Sequence, residues 1–357
     1  MKLKSSIKSH KPAPHGGLFS IPSPNNDILD FSSNVNPLGA SPKVLKTIKK
    51  NLKSIEIYPD PNSIILRKRI QNYTKVPLSQ IVIGNGATEI IYNFCQAFIS
   101  SQTSVLIPIP TFGEYETNAK LAGAKVSFFK TMNLKLNLQD FISCLPKNGF
   151  VFLCNPNNPT GSLLPKNEIR KIIIAAKNKN TVIFLDECFI ELVPDHDESI
   201  VSELRKYDNL FVLRSFTKSY GLAGIRIGYG LGHKNFVSVL NKIKIPWNVS
   251  GLAQHAALSA ISTPNYLHKS KKLIKTESRF LKNKISKLQN FELYDSTTNF
   301  ILIKSKIKSS IIQKKLLKNK ILIRDCSNFR GLDNFHFRIG IKKRKENLKL
   351  IKELEKI

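Results

Sequence analysis

From residue 80 onward the chain alternates in a way that leaves few folds open to it. Seven short apolar runs follow one another: IVIG (81–84), SVLIPI (104–109), KVSFF (125–129), FVFLC (150–154), TVIFL (181–185), LFVLR (210–214) and IRIGYGLG (225–232). Between them lie TEIIYNFCQAF, EYETNAKLA and KNEIRKIIIAAK, whose apolar residues recur at close to the 3.6-residue helical period. Strands that are apolar on both faces and alternate with helices need cover on both sides. The expectation is an α/β fold with a mostly parallel central sheet.

The texture changes after about residue 250. Helical patterns at 253–262 and 266–288 lead into NFILIK, a helix at 307–319, ILIRDC, FHFRIGI and a closing helix, which reads as a smaller α+β unit. The expected division is an N-terminal arm (1–48) packing on the small unit, a large unit (49–250) and a small C-terminal unit (251–357). A chain of 357 residues is long enough for two such cores.

Composition removes some function classes and weakens another. No window reaches the roughly 18 uninterrupted apolar residues of a membrane helix. The basic start MKLKSSIKSHKPAPHGG has no apolar segment of the kind a secretion signal carries. Five scattered cysteines without metal-ligand spacing suggest reduced thiols and a cytoplasmic location. Lys and Arg number 56 against 25 acidic residues, a net charge of +31. That balance would suit a nucleic acid or an anionic metabolite. The lysines are spread through the chain, as in KKLIKTESRFLKNKISK, with no interleaved aromatics and no nucleic-acid motif. A basic nucleic-acid-binding protein is therefore the weaker reading, and lysines solvating helix faces the stronger one.

In sheets of this kind ligands bind beyond the carboxyl ends of the strands, so the residues just after each run carry the functional argument. After IVIG comes NGATE, where Gly86 allows a sharp turn and the amides of Ala87 and Thr88 open a helix, an anion site. PTFGEY after SVLIPI offers Phe112 as a stacking face. NPNNPTG after FVFLC is a rigid turn with asparagine amides, among them Asn158. Asp186 stops the strand TVIFL, where a carboxylate is costly unless it meets a cation. LFVLR runs into SFTK, placing Lys218 beside apolar walls, where a lysine becomes a nucleophilic amine. Ser215, Thr217 and Arg226 supply hydroxyls and a guanidinium for a phosphate. Anion anchors, a stacking ring, an amide, an acid and a lysine together fit one ligand, pyridoxal 5′-phosphate.

NPNNPTG, Asp186, SFTK and an arginine eight residues past the lysine, in that order, resemble the fold-type I pyridoxal-phosphate enzymes of the class I/II aminotransferase superfamily, over residues 15–357. The resemblance implies that Lys218 bonds the cofactor aldehyde, Asp186 faces the ring nitrogen, Asn158 reaches the ring hydroxyl and Phe112 stacks on the ring. It gives the phosphate to Ala87, Thr88, Ser215 and Arg226. It also implies a homodimer, with Tyr58 of IYPDP reaching the other protomer's phosphate and Arg338 of FRIGI taking a substrate carboxylate. Two branches compete, histidinol-phosphate aminotransferases and threonine-phosphate decarboxylases of cobalamin synthesis. HGG (15–17), LDFSSNVNPLG, PWNVSGLA and ILIRDCSNFRGLD look like the second, as does Phe189 where the aminotransferases usually have a tyrosine. The expected reaction is decarboxylation of L-threonine O-3-phosphate, with His15, Gly16, Asn34, Asn158, Arg324 and Arg338 around the substrate. The alternative is transamination of a histidinol-phosphate type.

Overall fold

The computed structural model describes residues 5–8, 10–24, 27–194 and 197–357, so residues 1–4 and 9 of the basic arm lie outside the described residues. The strands are β1 (Leu29–Asp30), β2 (Ile81–Gly84), β3 (Ser104–Ile109), β4 (Lys125–Lys130), β5 (Phe150–Cys154), β6 (Val182–Asp186), β7 (Leu210–Ser215), β8 (Gly228–Gly232), β9 (Phe291–Leu293), β10 (Phe300–Ser305), β11 (Ile321–Leu322), β12 (Arg324–Asp325) and β13 (His336–Gly340). Seven of them form one sheet in the order β2-β8-β7-β6-β5-β3-β4. Helices connect the parallel strands, among them Ala87–Phe98, Glu114–Leu121 and Lys166–Asn178. The fold is α/β with a mostly parallel sheet.

Within this sheet β8 alone runs against its neighbours, pairing antiparallel with both β7 and β2. The reason is local. A parallel return needs a crossover that usually carries a full helix. The segment between β7 and β8 holds only the turn Phe216–Ser219 and the 3-10 turn Ala223–Ile225, and Arg226 reverses the chain at φ 58°. The expected strand at 225–232 therefore starts at Gly228.

The smaller sheet is antiparallel in the order β12-β13-β10-β9. Its core holds Ile274, Leu281, Ile301, Ile303, Phe337, Ile339 and Leu350, and Phe31 joins it from the N-terminal segment. β1 pairs in parallel with β11, and Gly340 N donates to the Phe31 carbonyl at 2.7 Å. The helix Gly251–Ile261 sits elsewhere: Ala253, Ala256, Ala257 and Ala260 pack into the large core with Val44 of the helix Pro42–Lys50. Grouped by shared core, we infer that the smaller unit begins at the helix Pro264–Ile285, and that the N-terminal segment divides its contacts between both units.

Candidate active site

The carboxyl ends of β3, β5 and β7 face a cavity of about 970 Å³, flanked on its other sides by the arm (Lys11–Gly16), by β12 and β13, and by the loop 327–332; Asp186 and Ala87 are not part of its wall. Phe112, Thr88, Asn158, Thr217, Lys218, Arg226, His15, Gly16, Asn34, Arg324 and Arg338 all line it. Residues spread over more than 300 positions of sequence thus share one space.

Lys218 lies in the helical turn that follows β7, capped by Ser215, whose Oγ accepts from Thr217 N at 3.1 Å. The Lys218 carbonyl accepts from Asn36 N at 3.0 Å, which fixes the backbone that carries the amine. Its Nζ has no hydrogen-bond partner among the described residues and stands 5.8 Å from the Phe189 ring centre. Burial, and then the Arg338 and Arg226 charges, lower the ammonium to about 8, with Cys188 and Asp186 opposing. The neutral amine therefore gains population as pH rises through about 8, well below the ordinary lysine range. Attachment of pyridoxal phosphate, trapped by borohydride and weighed by mass spectrometry, should accelerate with pH across that region and then level off. In Arg338→Gln the profile should move to higher pH, because the strongest like-charge repulsion on the ammonium is gone; an unmoved profile would contradict this electrostatic account.

Asp186 ends β6 and is buried without an ion-pair partner among the described residues. Its Oδ2 accepts from Tyr115 Oη at 2.6 Å and its Oδ1 from Cys188 N at 2.8 Å. Burial raises its pKa, while these two donors and the Lys218 charge favour the ionised form. Tyr115 escaped the sequence reading. It is fully buried, stacked on Phe152 at 5.4 Å, and set edge-on to Phe112 at 5.6 Å. The spacing in PTFGEY, with an aromatic three residues after Phe112 in an opening helix, is the signal that points to it.

The turn after β5 divides its asparagines between scaffold and cavity. Asn155 is stapled to Leu164 through both backbone groups, at 3.0 and 2.7 Å. Asn157 donates to the Pro110 carbonyl at 2.9 Å and accepts from Thr111 Oγ1 at 2.8 Å, locking this turn to the one after β3. Asn158 faces the cavity with its Oδ1 taken by Arg338 Nη1, so its amide nitrogen is left to a ligand.

At the start of the helix Ala87–Phe98, Gly86 is the N-cap at φ 83° and makes no side-chain cap. The first amides stay open to an anion. The Arg226 guanidinium lies over Gly86 where a Cβ would stand, and a Cβ on Gly228 would come within 2.8 Å of Ala87 N. Ser215 is buried behind this cradle and is not part of the cavity wall.

Arg324 and Arg338 are register partners on the antiparallel pair β12–β13. Both are buried, at 8% and 6% exposure, and neither has a carboxylate partner among the described residues. Arg338 Nη2 donates to the Ser32 carbonyl at 2.9 Å, and its Nε is unpartnered. Arg324 Nη2 donates to the Pro14 carbonyl at 2.8 Å and to Asn328 Oδ1 at 3.0 Å. Burial lowers both guanidinium groups, Arg338 to about 10. The neighbouring Asn34 Oδ1 is buried with no partner. Two desolvated cations side by side are costly until an anion meets them.

Three more of the expected site residues are His15, Gly16 and Tyr58. His15 gives its Nε2 to Glu114 Oε1 at 2.7 Å. A Cβ on Gly16 would come within 2.9 Å of Arg324 Cδ, so Gly16 lets the arm lie on that side chain. Tyr58 is 80% exposed and outside the cavity of its own chain, 4.7 Å from the Trp247 ring. The loop 327–332 is held by Arg330, which grips Glu116 with Nε and Nη2 at 2.8 and 2.7 Å. One helical turn thus ties Glu114 to the arm, Tyr115 to Asp186 and Glu116 to the loop.

The family model of aminotransferases of class I and II matches residues 26–354. The chain belongs to the class I and II aminotransferases. A histidinol-phosphate aminotransferase of Methanococcus aeolicus is 33% identical over 93% of this chain and 90% of its own length. A protein of Caldanaerobacter subterraneus subsp. tengcongensis, provisionally named a threonine-phosphate decarboxylase, is 35% identical over 96% of this chain and 94% of its own. The crystal structure of L-threonine-O-3-phosphate decarboxylase from Porphyromonas gingivalis superposes with a TM-score of 0.84 at 30% identity, covering 92% of this chain and 99% of that one. As a member of this family the chain uses pyridoxal 5′-phosphate. The residues present fit it: an uncapped helix start under Arg226 for the phosphate, Phe112 for the ring face, a buried acid and a lysine of lowered pKa. No helix among the described residues is long and apolar enough to cross a membrane.

Proposed function

We propose that the chain decarboxylates L-threonine O-3-phosphate to 1-aminopropan-2-ol O-phosphate and CO₂. The observation that carries the reading is the Arg324–Arg338 pair, buried, adjacent in register and lacking an acidic partner among the described residues. Such a pair suits a small molecule with two anionic groups on a short skeleton, and phosphothreonine has a carboxylate and a phosphate on neighbouring carbons. Histidinol phosphate carries a phosphate but no carboxylate.

Bound pyridoxal phosphate supplies an aldehyde for the substrate amine and a ring that accepts the electron pair released at Cα. The remaining work belongs to the chain. Thr88, Thr217 and Arg226, with the amides of Ala87 and Thr88, would hold the cofactor phosphate, and Ser215 would cap the turn that carries Thr217 and Lys218. Asp186, whose ionised form Tyr115 and Cys188 N support against burial, would pair with a protonated ring nitrogen. Arg338, braced by Asn158 and Ser32, would hold the substrate carboxylate and orient the bond to Cα that breaks. Arg324 and His15 would take the substrate phosphate, with Asn34 Oδ1 accepting from the substrate. Lys218 Nζ, freed when the substrate amine replaces it, would deliver the proton to Cα. In a homodimer Tyr58 of one protomer would complete the phosphate cradle of the other.

Phe189 also favours this reading. It packs on Phe300 at 5.1 Å, and without a hydroxyl it leaves Asn158 as the donor for the ring oxygen. The second reading, transamination, is favoured by the histidinol-phosphate name shared by relatives from several archaea. Cofactor-loaded protein given phosphothreonine without any 2-oxo acid should release CO₂ stoichiometrically with aminopropanol phosphate. Absence of CO₂, with amino transfer to 2-oxoglutarate from histidinol phosphate, would establish the second reading. Arg324→Gln should raise KM for phosphothreonine about a hundredfold and change kcat less, as expected when one buried charge partner is lost. Steady-state kinetics check this.

A further inference from the structure

We propose that Trp247 is a positioning residue that holds Tyr58 ready for the cofactor-phosphate site of a second copy of the chain. The inference rests on the reading that the protein is a homodimer in which Tyr58 crosses to the other protomer. Trp247, the only tryptophan in the chain, has a backbone φ of 55°, a left-handed conformation that bulky residues rarely adopt. Such a conformation persists only where the surroundings determine it, and it collects at functional sites. Here the surroundings are specific. Asn248 Nδ2 donates to Glu89 Oε2 at 2.6 Å, and the same oxygen accepts from Asn85 N at 2.7 Å, which ties the tryptophan loop to the turn that opens the phosphate cradle. On its other side Lys244 Nζ, where the loop begins, donates to the Pro61 carbonyl at 2.8 Å, and Gln254 Nε2, in the helix that follows the loop, donates to the Asp60 carbonyl at 3.0 Å, fastening both ends of the loop to the segment that follows Tyr58.

The result is a braced aromatic pair facing outward. The two rings are tilted by 35° with centres 4.7 Å apart, and Tyr58 stays 80% and Trp247 49% exposed. Ile55 and Ile57 on one segment and Ile245 on the other extend the apolar surface, each about 70% or more exposed. A second copy is the occupant this face fits. The pair is anchored to the chain's own phosphate cradle through Glu89 while pointing away from its own cavity, so the cavity it can serve belongs to a neighbouring molecule docked beside that cradle. Tyrosine has few rotatable bonds, and a stacked tryptophan removes most of the freedom that remains, which lowers the ordering cost when the hydroxyl meets a phosphate.

The test compares Trp247→Ala, Trp247→Phe, Tyr58→Phe and the Trp247→Ala/Tyr58→Phe double variant, all as full-length protein. Pyridoxal-phosphate affinity is read by absorbance titration and assembly by sedimentation velocity. Expected are dimers throughout, roughly tenfold weaker cofactor binding for Trp247→Ala and for Tyr58→Phe, near wild-type binding for Trp247→Phe, and a double variant no weaker than the worse single one. If Trp247→Ala falls apart into monomers, Trp247→Leu, which keeps apolar bulk without a ring, takes its place in the comparison. Additive losses in the double variant, or wild-type affinity in Trp247→Ala beside a weakened Tyr58→Phe, would overturn the positioning role and leave the dimer reading intact. A monomeric wild-type protein, or a Tyr58→Phe variant that binds cofactor normally, would remove the dimer reading itself and this inference with it.

Discussion

Lys218→Ala is expected to lose the borohydride-trapped cofactor adduct completely and to lower turnover by about ten-thousandfold. In the proposed reaction two separate tasks fall on this amine. It must be neutral at working pH to bond an aldehyde, and the lowering to about 8 by burial and by the Arg338 charge provides that. It must also stand free of other partners so that a proton can travel on Nζ, and it has no hydrogen-bond partner among the described residues. Loss of a positioned acid–base group alone costs about 10² to 10⁴ in rate, and loss of the anchoring bond adds to it. Lys11 also lines the cavity, on the arm, which gives a control: Lys11→Ala should keep the adduct at full yield. Peptide mapping of the reduced protein checks both outcomes, and an adduct surviving on another lysine in Lys218→Ala would refute the assignment.

Asp186→Asn should cost about a hundred- to a thousandfold in kcat, the range seen when one preorganised electrostatic group is removed, while the fold stays intact. The change nearly preserves shape. One amide oxygen keeps the bond from Cys188 N, and the Tyr115 hydroxyl can turn to accept from the new NH₂. What disappears is the negative charge that favours a protonated ring nitrogen. Tyr115→Phe isolates the smaller part of the effect. It removes one charge-assisted hydrogen bond of roughly 2 kcal/mol, and burial then acts against the carboxylate with less opposition. About a tenfold loss in kcat is expected, growing as pH falls, because an acid whose pKa rises further is protonated first on the acidic side. Pre-steady-state kinetics between pH 6 and 9 checks the sign. A Tyr115→Phe variant with wild-type kcat at low pH would mean that Asp186 needs no help to stay charged.

Much of the architecture was legible because the large sheet is written in local patterns. Each apolar run in the sequence became a strand within a few residues, and Asp186, Asn158 and Lys218 sit at strand ends because continuous apolar runs stop there. Other features depend on distant partners and leave no local trace. The reversal of β8 follows from a connection too short for a crossover and from the left-handed turn at Arg226. Arg324 and Arg338 were assigned to the substrate through the resemblance, but their pairing is a matter of register between strands separated by a loop and had no local signal. Glu114 and Glu116 read as polar residues of an amphipathic helix, and only the folded chain shows that one meets His15 and the other Arg330. The helix Gly251–Ile261 was expected with the small unit, but its alanine-rich face offers too little volume to distinguish one core from another until the packing is seen.

The first turn of the helix Glu114–Leu121 has a mechanical consequence. A helical turn moves as a rigid piece, and this one has three attachments: a strap from the N-terminal arm, the buried acid Asp186, and a strap from the C-terminal unit. The two carboxylates grip partners that are about half exposed, His15 and Arg330, so each grip is of modest strength, whereas the tyrosine between them is clamped in the interior. Whatever lifts either strap therefore pulls on a lever whose fulcrum is Asp186, so the entrance of the cavity and a buried carboxylate are joined by a path three residues long.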